Sequence, residues 1–397
     1  MCALYFLPCA AQSGYITMKI VIAPDSYKES LSATEVAQAI EKGFREIFPD
    51  AQYVSVPVAD GGEGTVEAMV AATQGHLVHV DVTGPLGNTI QAFYGLSGDE
   101  RSAFIEMAAA SGLEQVPAGL RDPLKTTSWG TGELIRHALD AGVEHIIIGI
   151  GGSATNDGGA GMVQALGAKL LDTQNNDIAH GGAGLESLAR IDISQLDQRL
   201  AACRIEVACD VTNPLTGEEG ASAVFGPQKG ATPEMITRLD RALTHYAQLI
   251  ARDLDVNVLD LAGGGAAGGM GAALYAFCGA QLRCGIEIVT DALHLDACVA
   301  DADLVVTGEG RIDSQTIHGK VPVGVAKVAK RYNKPVIGIA GSLTADVGVV
   351  HEHGLDAVFS VIYTICTLDE ALKNASDNVR MTARNVAATL KAGQQLR

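Results

Sequence analysis

Apolar residues in this chain follow two rhythms. Residues 19–23 (KIVIA), 146–148 (III), 304–307 (LVVT), 335–340 (PVIGIA) and 357–362 (AVFSVI) are short unbroken apolar runs, bounded mostly by Pro, Gly or Asp. Such runs predict strands buried on both faces of a parallel sheet. After the first run, Val36, Ile40, Phe44 and Ile47 recur at helical spacing, with Ser30 or Ser32 placed to cap the helix. Residues 53–58 predict a second strand, ending in Ala59-Asp60-Gly61-Gly62-Glu63-Gly64, and a helix starts near Thr65. Asp25 and Asp60 thus sit just past strand C-termini, the edge where open α/β sheets bind ligands.

From about His79 the rhythm changes. Residues 79–106 alternate apolar and polar, with Gly-Pro and Gly-Asn turns, which predicts antiparallel strands. Residues 127–143 and 159–168 read as helices on either side of a strand and glycine-rich loop at 145–161 (HIIIGIGGSATNDGGAG). Residues 203–215 (CRIEVACDVTNPL) read as a strand ending in polar residues, and 231–254 as a charge-rich helix. A second glycine cluster, 263–271 (GGGAAGGMG), precedes another helix. The parallel texture then returns. The economical architecture is α/β: a Rossmann-like parallel-sheet domain from residues 18–78 plus 286–397, a second α/β mixed-sheet domain inserted at 79–285, and a cleft between them. Residues 1–17 lack the basic segment of a signal peptide and read as an N-terminal extension before the strand at Lys19.

Composition narrows the class. At roughly 100–200 residues per domain, 397 residues make two or three domains. Aromatics are 5% while hydrophobic residues are 47% and glycines number 46, a balance that favours an α/β enzyme over a β-sandwich. A net charge of −18 makes nucleic acid and anionic membranes poor partners. No apolar run approaches the ~18 residues of a membrane span. Eight cysteines without a CxxC pair suggest reduced thiols and a cytoplasmic protein. His351-Glu352-His353 has the wrong spacing for a metal helix and reads as a solvated helix end before Gly354.

The glycine-rich loops carry the candidate chemistry. A strand entering Gly149-Ile150-Gly151-Gly152-Ser153 resembles an anion cradle, because bare backbone N–H groups can approach a phosphate closely. Gly149-x-Gly151-x-x-Ala154, with Asp172 after the next apparent strand, also fits a dinucleotide fingerprint. Asp157 at the helix start would repel a pyrophosphate unless a cation intervened. A phosphoryl-transfer site accommodates it better, with Asp157 and Asp210 as Mg²⁺ ligands. Asp25, Ser26 and Lys28 combine carboxylate, hydroxyl and ammonium on one loop, and Asp60 with Glu63 repeats the theme. Arg311 is read as an arginine inside a glycine loop, able to clamp a carboxylate or stabilise phosphoryl charge, with Glu309 or Asp313 as its partner.

The longer motifs bring a family into view. MKIVIAPDSYKESLSA from Met18, PVADGGEGT, GIGGSATNDGGAG, ACDVTNPL, FGPQKGA, GAAGGMGA and TGEGRIDSQTIHGK resemble bacterial glycerate kinase over nearly the whole chain from Met18. The resemblance implies a two-domain α/β fold and phosphorylation of D-glycerate by ATP with Mg²⁺. It is closest to members that form 2-phosphoglycerate in glucarate, galactarate or glyoxylate catabolism. Carried onto this chain, it places ATP against Gly151, Gly152, Ser153, Asn156, Gly268 and Gly269. Glycerate falls to Asp25, Ser26, Lys28, Glu63, Arg311 and Asp313. The chemistry falls to Asp210 or Asp60, with Lys28 and Arg311 as the basic clamp. A homodimer is compatible with this reading. Two alternatives stand beside it: an NAD-dependent dehydrogenase of a small hydroxy acid, and a non-catalytic ligand sensor.

Overall fold

The computed structural model describes residues 17–62 and 64–396. Glu63, and all of the expected extension except Thr17, lie outside the described residues. Among the described residues, thirteen strands make two large sheets and one two-stranded ribbon. The first sheet contains β1 (Lys19–Pro24), β2 (Gln52–Ser55), β11 (Leu304–Ile312), β12 (Val336–Leu343) and β13 (Ala357–Ser360), ordered β13-β12-β11-β1-β2. Every pairing in it is parallel. The second contains β3 (His76–Thr83), β4 (Thr89–Leu96), β5 (Ser102–Glu106), β6 (His145–Gly149), β9 (Arg204–Ala208) and β10 (Gln281–Arg283), ordered β10-β9-β6-β5-β4-β3. Its β10-β9-β6-β5 half is parallel and its β5-β4-β3 half antiparallel. The ribbon pairs β7 (Lys169–Leu171) with β8 (Arg190–Asp192).

The α/β architecture built from both chain ends is the one the apolar rhythm predicts. Ser32 rather than Ser30 caps the first helix, Ala33–Arg45: its hydroxyl accepts from Glu35 N–H, while the Glu35 carboxylate accepts from Ser32 N–H. Val36, Ile40 and Phe44 on one face of that helix are buried against Ile20, Ile22 and the C-terminal helix Ala375–Gln394. Gly43 permits this approach, since a Cβ there would stand 2.3 Å from Arg380 O. A middle cluster joins the sheets: Val21 and Ala23 of β1 share it with Phe104, Ile147 and Ala208 of the second sheet. The largest core lies on the far side of the second sheet.

Three expectations change. The boundary drawn at 78/79 falls inside β3, which pairs with β4 in unbroken register from His76 to Thr83, so the change of sheet occurs between Ser55 and His76. The segment 308–312 is strand, not loop: Gly308 faces Ile339 and Arg311 faces Ser342 in the β11–β12 ladder. Gly308 serves close backbone packing, for a Cβ there would stand 1.9 Å from Ile339 O. The dinucleotide pattern also dissolves. β7, which ends just before Asp172, pairs with β8 in the separate ribbon instead of extending the sheet beside β6, and Asp172 closes a local turn by accepting from Gln174 and Asn176 N–H. Among the described residues no helix is long and apolar enough to cross a membrane.

One crossing ties the sheets together. Asp60 and Gly61, past the end of β2, lie across the C-terminal ends of β6 and β9. A Cβ on Gly285 would stand 1.8 Å from Asp60 O, one on Gly149 2.5 Å from Gly61 O, and one on Gly61 2.5 Å from the Ala208 Cβ. Gly285→Ala therefore destabilises the protein by about 1–3 kcal/mol through overpacking. Gly119→Ala, whose Cβ meets nothing within 4 Å, leaves stability within about 0.5 kcal/mol. Denaturant unfolding of the two variants checks the contrast.

Candidate active site

Both sheets direct strand C-termini toward the same cleft, and the loops leaving those strands supply its chemistry. After β1, Asp25 N–H donates to Gly308 O at 2.8 Å and the Tyr27 hydroxyl donates to Ile339 O at 2.6 Å, so the 25–31 loop is fastened to β11 and β12. After β2, Val56 and Val58 N–H extend the ladder to Ile22 and Pro24 O and deliver Asp60, whose Oδ1 accepts from Gly62 N–H at 3.0 Å. After β9 comes Asp210, whose Oδ1 accepts from Gly285 N–H at 3.0 Å and whose carboxylate also accepts a hydrogen bond from the Cys284 thiol. After β6 the chain runs into Ile150-Gly151-Gly152-Ser153. These loops enclose a cavity of about 330 Å³ lined by Lys28, Asp60, Gly151, Ser153, Asp210 and Lys229, among others.

Lys229 is the residue that sequence reasoning missed. It is 1% exposed, and its ammonium donates to Ser153 Oγ at 2.8 Å and Thr155 O at 2.7 Å. Among the described residues it makes no ion pair. Burial pushes its pKa down to about 7, against the opposing pull of the Asp157 charge. It stood in the sequence within FGPQKGA, and the signal that could have found it is a lysine flanked by apolar and glycine residues rather than by acids.

The carboxylates shift the other way. Burial, reinforced by the charges of Asp60 and Glu309, raises Asp25 to about 7. Burial likewise raises Glu309 to about 7, with Asp60 and Asp313 adding to the shift and the Thr316 hydroxyl, 2.7 Å away, opposing it. Asp210 is raised by burial against its two hydrogen bonds. Burial thus raises three acids around one cleft, and the negative charge of Asp60 adds to the rise of each.

Of the expected site residues, Lys28, Asp60, Gly151, Gly152, Ser153 and Asp210 line this cavity, and Asp25 couples electrically to Asp60. Ser26 follows Asp25 and donates its N–H to it at 2.6 Å. Others lie elsewhere. Asp157 is buried beneath the loop and accepts from Ser128 N–H and Oγ, Gly159 N–H and Gly161 N–H. Four donors satisfy it, so it anchors the loop instead of facing a metal. Asn156 is also buried, donating to Ser222 Oγ at 2.9 Å. Gly268 and Gly269 pack under the same loop, where a Gly268 Cβ would stand 2.0 Å from Thr155 O, and their neighbours Ala266 and Ala267 line the cavity instead. Arg311 is mostly exposed and pairs with Asp313 at 3.0 Å, a closed ion pair on the β11 strand.

A second cavity of about 630 Å³ adjoins the first through shared glycines. A third, about 670 Å³, opens at the opposite edge of the sheets, where Glu206 is held by His145, Arg204 and Arg283. Its central carboxylate is fully partnered, whereas the cleft concentrates perturbed acids and an unpaired lysine, the mark of a functional site.

The raised carboxylates fix the sign of a stability test. Between about pH 4 and pH 7 the folded state retains protons on Asp25 and Glu309 that the unfolded chain releases, so these groups make stability fall as pH rises. Lys229 acts oppositely above pH 7, where the unfolded chain holds the extra proton until about 10.5. Asp25→Asn accordingly flattens the decline between pH 4 and 7 and raises the ligand-free melting temperature at pH 7, as read by calorimetry across that range.

Comparison with known proteins bears on this cleft. The model of the glycerate kinase family matches residues 20–391. The chain is 70% identical over 378 residues to a glycerate 2-kinase of Escherichia coli K12, covering 95% of this chain and 99% of that one. It is 60% identical to a glycerate kinase of Haemophilus influenzae, covering 94% and 99%. A crystal structure of a Salmonella typhimurium LT2 protein, provisionally named glycerate kinase 2, superposes with a TM-score of 0.90 at 84% identity, covering 96% of this chain and all of that one.

Proposed function

The chain belongs to the glycerate kinase family and is a phosphotransferase with an alcohol acceptor, and we propose that it transfers the γ-phosphoryl group of ATP to the 2-hydroxyl of D-glycerate in the cleft between its sheets. The observation that carries this reading is the meeting of Lys28, Asp60, Asp210 and Lys229 around one cavity beside the 150–153 loop. The name of the Escherichia coli relative supports the 2-hydroxyl. With that product the enzyme serves sugar-acid or glyoxylate catabolism, the role that the sequence resemblance implies, in the cytoplasmic location expected from its cysteines.

Each residue has a task that its surroundings allow. Lys28 holds the glycerate carboxylate, the role first expected of Lys28 and Arg311 together, because Arg311 is committed to Asp313. Lys229 and the backbone of Gly151 and Gly152 gather phosphate oxygens, and an arriving phosphate restores the lysine charge that burial disfavours. Asp210 accepts the proton of the attacking hydroxyl, since burial has made it a stronger base than an exposed aspartate. The Gly285 N–H and Cys284 thiol aim that carboxylate.

Mg²⁺ fits this donor set as a passenger on the nucleotide. Among the described residues no three His, Cys, Asp or Glu side chains are grouped to hold a metal alone. Mg²⁺ commonly takes one or two carboxylates plus substrate phosphates, and Asp60 and Asp210 are the carboxylates on the cavity wall. When bound there, the cation neutralises charge on the phosphate oxygens.

Glycerate-dependent ADP release in a coupled assay tests the activity, and a ¹³C NMR spectrum of the product separates 2- from 3-phosphoglycerate. Asp210→Asn lowers kcat by about 10²–10⁴-fold with an unchanged circular dichroism spectrum; near-normal turnover would remove Asp210 from the chemistry. kcat/KM for ATP falls as pH rises through about 7, where Lys229 loses its proton, and Lys229→Met abolishes that fall and lowers kcat/KM by about 10²-fold or more.

A further inference from the structure

The two adjoining cavities differ in chemistry as well as size. The smaller carries both cleft cations, Lys28 and Lys229, with Asp60 and Asp210. Among the described residues, no lysine or arginine lines the larger, of about 630 Å³. Phe93, Ala108, Ala109 and Leu113 give it an apolar surface, with Glu114 and Gln115 beside them. Its volume lies within the ~300–1,000 Å³ usual for small-molecule sites.

Four glycines, Gly61, Gly62, Gly151 and Gly152, line both cavities and form the throat between them. Two of them have reasons within the protein. Gly61 has φ +92° and a Cβ would strike Ala208, and Gly152 has φ +72°, a left-handed conformation that disfavours side chains. At Gly62 a Cβ would touch Asp60 Oδ1 at 3.0 Å. Gly151 has neither reason. Its φ is not positive and a Cβ would meet nothing within 4 Å, so the space beside its backbone belongs to the two cavities rather than to packing.

We propose that the throat carries the phosphate chain of a purine nucleoside triphosphate, with the nucleoside in the larger cavity and the γ-phosphate delivered to Lys229 in the smaller, where Lys28 holds the acceptor. This rests on the kinase reading above and adds the orientation of the nucleotide and the residues that select it. Charge decides the direction. Phosphates in the larger cavity would face the carboxylates of Glu67 and Glu114, with no lysine or arginine among the described residues of the wall, whereas a neutral base finds apolar surface and hydrogen-bonding groups there. The bare backbone at Gly151 allows the chain to pass at contact distance, which a methyl group would obstruct.

Gly151→Val and Leu113→Trp separate throat from nucleoside pocket. Both side chains enter space on the cavity side, so both variants keep the wild-type melting temperature within about 2 °C. Gly151→Val raises KM for ATP and the calorimetric Kd for ADP at least tenfold, and weakens inhibition by inorganic tripolyphosphate equally. Leu113→Trp raises the ATP and ADP values at least tenfold but leaves tripolyphosphate inhibition unchanged. KM for glycerate stays within twofold in both. Unchanged ADP affinity in Leu113→Trp overturns the nucleoside assignment, and a rise confined to the glycerate KM in Gly151→Val gives the throat to the acceptor and overturns the proposal. Should the wild-type protein fail to phosphorylate glycerate, the kinase reading falls, while the ADP titrations still decide the placement of the nucleotide.

Discussion

The contact on which this structure depends is backbone against backbone. The Asp60-Gly61 segment leaves the first sheet and lies on the ends of β6 and β9 in the second, at distances that only glycine at 61, 149 and 285 permits. Phe104, Ile147 and Ala208 join Val21 and Ala23 in the apolar cluster behind it, so the crossing is backed by core. Packing at this density is intolerant of an added methyl. The benefit is positional. Asp60 of one sheet and Asp210 of the other line one cavity, with the Gly151 loop beside them.

That arrangement is electrically uncomfortable in the absence of ligand. Asp25 and Glu309 are raised to about 7, and Lys229 is lowered to about 7 with no acid paired to it. A protein with a −18 net charge cannot attract phosphate by its overall field. It concentrates attraction in one buried ammonium and a stretch of bare backbone, both screened little by solvent. The cost in stability is offset by three apolar clusters that contain few of these groups.

The 145–161 loop shows how far one stretch of sequence can be read. Its first half behaves as its composition suggests, with Gly151, Gly152 and Ser153 on the cavity wall. Its second half is foundation: Asp157 ties Ser128 to Gly159 and Gly161, and Gly159 fits against Met270 and Ala273. Both halves have the same glycine-rich texture, because a ligand and a neighbouring loop make the same demand on a backbone that must be approached closely. Arg311 misled for a related reason. Glycines at 308 and 310 suggest a loop, yet both lie in β11, Gly308 is there so that β11 and β12 can pack, and the arginine is spent on Asp313.

Sequence alone determined most strands of the two large sheets, the capped first helix, the return of the chain to its first sheet and the loops that follow strand C-termini, because apolar periodicity and local capping act over a few residues. It also carried the family, through motifs spread over nearly the whole chain. Tertiary structure decided which of those loops meet. Lys229 became a cleft cation because burial leaves it unpaired against Ser153 and Thr155, 76 and 74 residues away. Asp157 was withdrawn from the cleft because Ser128, 29 residues earlier, reaches it first. Charge and solvation at a site depend on what the folded chain brings within a few ångströms, and no local pattern encodes that.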